Sequence, residues 1–170
     1  LKLFLLGPPR IELDGRPVDI ARRKALALLA YLAVEGQPRT RDQLAALFWP
    51  DYEPGQSYAY LRRAIWELNN ALGKGWLDTG REKVGLATEQ PLWLDVSDFE
   101  AGLGDGRAPA HDPARLAAAV SLYGGDFLTG FTLRDAPDFD LWQRFTGERL
   151  GRMLAQALER LVDVHVARAE

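Results

Sequence analysis

The apolar positions of this chain alternate between two rhythms, and the changes of rhythm mark out its elements. Leu1 to Leu6 and Ile11 to Leu13 read as short strands separated by the break Gly7-Pro8-Pro9. Asp14-Gly15 is a two-residue hairpin signal, with Val18 and Ile20 alternating beyond it, so an N-terminal antiparallel sheet is expected. From Arg23 the period lengthens to that of a helix, which runs to Glu35 and is closed by Gly36. Its leucines and alanines leave little polar face, which predicts a central, buried helix. Thr40 is placed to cap a second helix, Arg41 to Phe48, with Leu44, Leu47 and Phe48 inward. Trp49-Pro50 ends it, and Asp51 to Gln56 reads as a loop marked by Pro54-Gly55.

The third helix spans 57–72, with Ser57 as its N-cap and Gly73 just past its end. At 100° per residue, Leu61, Ala64, Ile65, Leu68 and Leu72 share one face. Arg63, Trp66 and Asn70 fall opposite, with Arg62 and Asn69 at the border and Tyr58 flanking. An outward Trp one turn from Arg and Asn is unusual for a solvent face. Arg pairs bidentately with guanine and Asn with adenine, and an aromatic ring packs on a sugar or a thymine methyl. An amphipathic helix whose Trp66 packs on a neighbouring element is the plainer alternative.

After Gly73, Trp76-Leu77 opens extended sequence. Arg81 to Leu86 and Leu92 to Val96 alternate and read as a hairpin. Two short helices, a third with a polar outer face and a following hairpin make a winged helix. Arg81 and Lys83 lie on this wing, within reach of phosphate. Ser97 is expected to cap a short helix, Asp98 to Leu103, followed by a loop from Gly102 to Pro113. Arg115 to Tyr123 is a further helix, and Phe139 to Ala169 a long one with Gly147 and Gly151 as possible kinks. Trp142, Phe145, Leu150, Leu154, Leu158, Leu161 and His165 give it a broad apolar side, with His165 read as a core-edge residue. So wide a stripe needs partner helices, as at the opening of a helical-repeat domain.

Composition narrows the chemistry. Cys is absent and His occurs twice, at His111 and His165, which removes disulfides, thiolate metal sites and thiol catalysis. Asp135, Asp138 and Asp140 form a carboxylate cluster, but they precede a helix and read as dipole compensation and capping. No catalysis, metal or cofactor is expected. The net charge of −3 divides unevenly: up to Ser97 there are 13 Lys/Arg against 12 Asp/Glu, and beyond it 8 against 12. A locally basic surface on the first part is compatible with that total, because phosphate binding depends on a patch. Arg22, Arg23 and Lys24 sit at the positive end of the first helix, where each cation costs about 0.3–1 kcal/mol. An anion should compensate them, either a DNA phosphate or a nearby carboxylate such as Asp19. No apolar run reaches transmembrane length and no signal peptide is evident, so a cytoplasmic location is expected. Leu1 in place of Met and the unterminated helix at Glu170 suggest a segment of a longer protein.

In order and spacing the chain resembles bacterial transcription activators of the antibiotic-regulatory-protein (SARP) type. The resembling residues are Arg23 to Leu32, Thr40 to Asp51 through Leu-Phe-Trp-Pro-Asp, Leu61-Arg62 and Leu68 to Gly73. In the second half they are Asp95 to Phe99, Tyr123 to Leu128 and Ala157 to Leu161. The resemblance implies an α+β fold. A winged-helix DNA-binding domain, 1–97, has an N-terminal β-hairpin and a C-terminal wing. An all-α, TPR-like bacterial transcriptional activator domain then begins at 98–170. It further implies binding to direct repeats of double-stranded DNA, dimerisation and contact with RNA polymerase. The chain departs from the family where relatives carry a basic run late in the third helix, having Glu67-Leu68-Asn69-Asn70, and in the wing, having Gly85-Leu86-Ala87. The expected roles are base or sugar contact for Tyr58, Arg62, Arg63, Trp66, Asn69 and Asn70, and phosphate contact for Arg22, Arg23, Lys24, Arg81 and Lys83. The competing expectation is a protein-interaction scaffold whose winged helix has lost DNA binding.

Overall fold

Asp14 and Gly15 both adopt positive φ, 51° and 76°, which closes a two-residue hairpin between β2 (Arg10–Leu13) and β3 (Arg16–Pro17). The pairing is antiparallel, with Glu12 opposite Pro17 and Leu13 opposite Arg16. With β1 (Lys2–Phe4) the strand order is β3-β2-β1, as the alternation predicts. The computed structural model describes residues 1–104 and 113–169, so His111 and most of the expected Gly102–Pro113 loop lie outside the described residues. The described chain is mixed α+β, with short strands and six helices. It divides into two compact units. The first holds Leu1–Leu3, Arg10–Leu92 and Thr132–Trp142, and the second holds Phe4–Pro9, Trp93–Phe131 and Gln143–Glu170.

In the first unit, α1 (Arg23–Glu35) buries seven of its residues and stops at Gly36, whose φ of 64° lets its N–H reach the Leu32 carbonyl. Two rings that enter from Thr132–Trp142 complete its surroundings. Trp142 lies 5.0 Å from Tyr31, and Phe139 lies 5.4 Å from Phe48. α2 (Arg41–Phe48) starts with a full capping box: Thr40 accepts from the Gln43 N–H, and Gln43 accepts from the Thr40 N–H.

α3 differs from the expectation at its start. It runs Pro54–Leu72, so Pro54-Gly55 opens the helix and Ser57 lies one turn inside it, buried. Pro at the first helical position has a preset φ and lacks only an N–H that would be orphaned there. The Ser57 hydroxyl donates to the Pro54 carbonyl at 3.0 Å, bonding back within the turn instead of capping it.

The hairpin after α3 also pairs differently. β6 (Lys83–Leu86) is flanked by β5 (Leu77–Thr79) and by β4 (Arg39–Thr40), all antiparallel, and Leu92–Val96 is not its partner. The turn is therefore Gly80-Arg81-Glu82. Three residues with two polar side chains, Asp78 and Thr79, carry too little alternation to announce β5. Arg41 anchors this turn, its guanidinium donating to the Gly80 carbonyl and its N–H to the Glu82 carbonyl.

In the second unit, β7 (Trp93–Leu94) is two residues long and α4 (Asp95–Leu103) begins at Asp95, two residues before the expected Ser97 cap. Asp95 is the reason. Its carboxylate is buried, and one oxygen accepts the Leu5 and Leu6 N–H groups at 2.7 and 2.8 Å. The other oxygen accepts the Val96 N–H at 2.8 Å. α4 packs against α5 (Pro113–Ser121) through Gly102, where a Cβ would fall 2.4 Å from that of Ala119. α6 (Pro137–Ala169) continues through Gly147 and Gly151. Within the second unit Thr146, Leu150 and Ala157 are its buried positions, while Phe145, Leu158, Val162 and Val166 are 45–60% exposed. His165 is exposed rather than at a core edge, because the buried stripe is narrower than the run of apolar residues suggests.

Burial raises the Asp95 pKa above 3.8, and the accepted N–H bonds only partly offset this. The folded chain therefore holds this proton more tightly than the unfolded chain, and Asp95 titration lowers stability as pH rises from 3.8 through the folded value. Asp95→Ala abolishes that decline in urea denaturation curves taken across the pH range. It also costs at least about 2 kcal/mol, since three buried donors lose their acceptor.

Candidate functional site

α3 carries two faces of opposite character. Leu61, Ala64, Ile65, Leu68 and Leu72 are buried, as the spacing predicts. On the other side Trp66 is 63% exposed, and Arg62, Arg63 and Asn70 are exposed with it. Tyr58 and Asn69 are half-buried. Trp66 is thus not packed into a neighbour. Tyr60, which the helical wheel did not single out, belongs to an aromatic cluster. It stacks at 6.3 Å on Trp49 and meets Tyr52 edge-on at 4.9 Å.

The three cations at the start of α1 find partners inside the first unit, carboxylates for Arg22 and Lys24 and a carbonyl for Arg23. Arg22 donates its backbone N–H to Glu67 at 3.0 Å and its Nε to the same carboxylate at 2.9 Å. Lys24 Nζ donates to Asp135 at 2.8 Å and to the Phe48 carbonyl at 2.5 Å, 5.3 Å from the centre of the Trp49 ring. The Arg23 guanidinium donates twice to the Thr132 carbonyl, at 2.9 and 3.1 Å. Compensation comes from Glu67 and Asp135, and Asp19 takes no part in these pairs. Asp135 is therefore an ion-pair partner, Asp140 accepts the Leu133 N–H, and Asp138 sits in the first turn of α6.

Arg22, Arg23, Lys24 and Arg63 come together around one cavity of about 630 Å³, with Trp49, Tyr60, Leu133 and Arg134. Arg81 and Lys83 lie apart from it, exposed on the turn and first strand position of the β5–β6 hairpin. Arg134 escapes sequence reasoning, and Asp135 is read there only as a dipole-compensating carboxylate, because both stand about 110 positions from the helix start they adjoin. Among the described residues no group of three His, Asp or Glu is placed to hold a metal ion, and no helix is long and apolar enough to cross a membrane.

Glu67→Ala strips Arg22 of both contacts and leaves only Asp135 to compensate the start of α1. The pair is half solvent-exposed, so the loss is about 1 kcal/mol, read as a lowered urea midpoint with an unchanged slope. An unchanged midpoint would show that Glu67 does not hold this corner.

No protein-family model matches the chain. Over 123 residues, 71% of its length, it is 30% identical to the transcriptional regulatory protein EmbR of Mycobacterium bovis, and equally to that of Mycobacterium tuberculosis. The chain spans 30% of the length of those curated relatives. In structure it matches Mycobacterium tuberculosis EmbR, solved in complex with a low affinity phosphopeptide, with a TM-score of 0.73 at 22% identity. The match covers 99% of this chain and 47% of that one. The chain thus shares its mixed α+β fold with EmbR and is related in sequence to a transcriptional regulator.

Proposed function

We propose that this chain is the DNA-binding portion of a transcriptional regulator, a winged helix in which α3 enters the major groove. The observation that carries this reading is Trp66, 63% exposed on a helix whose other face is fully buried. An exposed Trp flanked by Arg62, Arg63 and Asn70 has no packing role, and it has the chemistry of a groove-reading surface. Kinship with EmbR, a protein named as a transcriptional regulator, supports the same reading.

On this proposal β5–β6 is the wing. Residues 1–97 form the DNA-binding domain, and 98–170 open a helical, TPR-like activator domain. Tyr58 and Asn69 flank the reading residues, and Arg81 and Lys83 hold phosphates from the wing. The protein acts in the cytoplasm as an activator without catalytic activity of its own. It binds direct repeats as a dimer and contacts RNA polymerase. Arg22, Arg23 and Lys24 contribute to phosphate binding only as far as their internal partners release them.

A gel shift against a genomic fragment pool tests this, followed by titration of the selected duplex. Trp66→Ala, Arg63→Ala and Asn70→Ala each weaken specific binding by about 1–3 kcal/mol, roughly 5- to 150-fold, while leaving the fold intact. Lys83→Ala weakens all sequences alike and reduces the salt slope by about 0.9. A wild-type chain that shifts no fragment, or three variants that bind as it does, would sink the proposal.

A protein-interaction scaffold is the competing reading. It is favoured by the exposed row Leu158, Val162 and Val166 on α6, and by the internal commitment of three cations. Co-purification of a protein partner without nucleic acid would select it.

A further inference from the structure

The cavity beside α1 has features that packing does not use, and it shares only Arg63 with the groove-reading face. Its volume of about 630 Å³ is that of a small-molecule site. Its accessible apolar wall is the ring of Tyr60, 36% exposed, with the edge of Trp49 beside it, while Ala25, Ala64 and Leu133 behind them are at most 4% exposed. Around that wall stand five cationic side chains, Arg22, Arg23, Lys24, Arg63 and Arg134, against the single carboxylate of Asp135. Arg22 and Lys24 have carboxylate partners, and Arg23 is tied to a carbonyl. Arg63 and Arg134 have neither a hydrogen bond nor an ion pair among the described residues.

A cavity needed only for packing would be filled, and solvated surface cations would not ring an apolar wall. Two uncommitted guanidiniums present paired donors suited to an oxyanion bearing two or three acceptor oxygens. The wall adds burial for a short apolar body, which a bare inorganic anion lacks. We propose that this cavity is a binding site for a small organic phosphomonoester. Its phosphate is held by Arg63 and Arg134, with Arg23 beside them, and its apolar body rests on the Tyr60 ring and the edge of Trp49. This site stands apart from the groove-reading role of Trp66 and Asn70, so it is testable without DNA.

The test is calorimetric titration of the 170-residue chain with phenyl phosphate, inorganic phosphate, phenol and a short mixed-sequence duplex, each separately at constant ionic strength. Phenyl phosphate binds at one site, about tenfold or more tighter than inorganic phosphate or phenol, because head and body contribute together. Arg134→Ala weakens phenyl phosphate about tenfold, as expected for one charge-assisted contact, and Arg16→Ala, exposed on β3 away from the cavity, leaves it unchanged. Circular dichroism melts of both variants confirm that the exposed positions are replaced without unfolding. Equal affinity for phenyl phosphate and inorganic phosphate would overturn the proposal. So would indifference to Arg134→Ala, or heat released with the duplex alone.

Discussion

Three consecutive cations at the start of a buried helix set the constraint from which the first unit is built. α1 has no acidic residue in its first turn and no side-chain cap, so its positive end must be balanced from elsewhere in the unit. Glu67 reaches it from α3, and Asp135 from the segment before α6. Each ion pair is worth little alone because both are partly solvated. Their larger effect is positional. Glu67 joins α3 to the start of α1 at the border of the face whose Leu61, Ile65 and Leu68 are buried, opposite the exposed Trp66. Lys24 similarly ties Asp135 to the Phe48 carbonyl, beside the ring cluster of Phe48, Phe139 and Trp142.

The same geometry accounts for a departure in sequence. Where related activators are expected to be basic late in the third helix, this chain has Glu67. A carboxylate there cannot grip phosphate, but from α3 it reaches both the backbone N–H and the guanidinium of Arg22. Glu67 serves as a structural counter-charge to Arg22.

Features set by neighbouring residues were legible from sequence, and features set by distant ones were not. The Asp14-Gly15 turn, the closure of α1 at Gly36 and the Thr40–Gln43 box each depend on residues within a few positions. α3 began earlier than expected because Ser57 has the chemistry of a cap, yet Pro54 satisfies the helix start without one. β5 was missed because its pairing with Val84 and Leu86 sets its conformation, while its own pattern is too short to do so. Asp95 looked like the end of a strand. Its acceptance of the Leu5 and Leu6 N–H groups, 90 positions away, makes it the start of a helix. Of the candidate site, the exposed face of α3 followed from the helical period. The cavity did not, since Arg134 and Asp135 join Arg22, Arg23 and Lys24 only through the fold.

A division of labour follows among the basic residues of the first unit. Cations already bound to carboxylates give up those contacts before they can neutralise a phosphate, so their counterion release is small. Arg62, Arg81 and Lys83 make no ion pair among the described residues and meet phosphate without that cost. On the proposed reading, nonspecific attraction therefore rests on few charges, while discrimination rests on Trp66 and Asn70, whose contacts do not depend on salt. Arg63 belongs to both surfaces, lining the cavity from the helix that carries Trp66. A ligand that draws its guanidinium into the cavity withdraws it from the groove face. Occupancy of the one and reading by the other are then opposed through a single side chain, and by reciprocity each lowers the affinity of the other by the same factor.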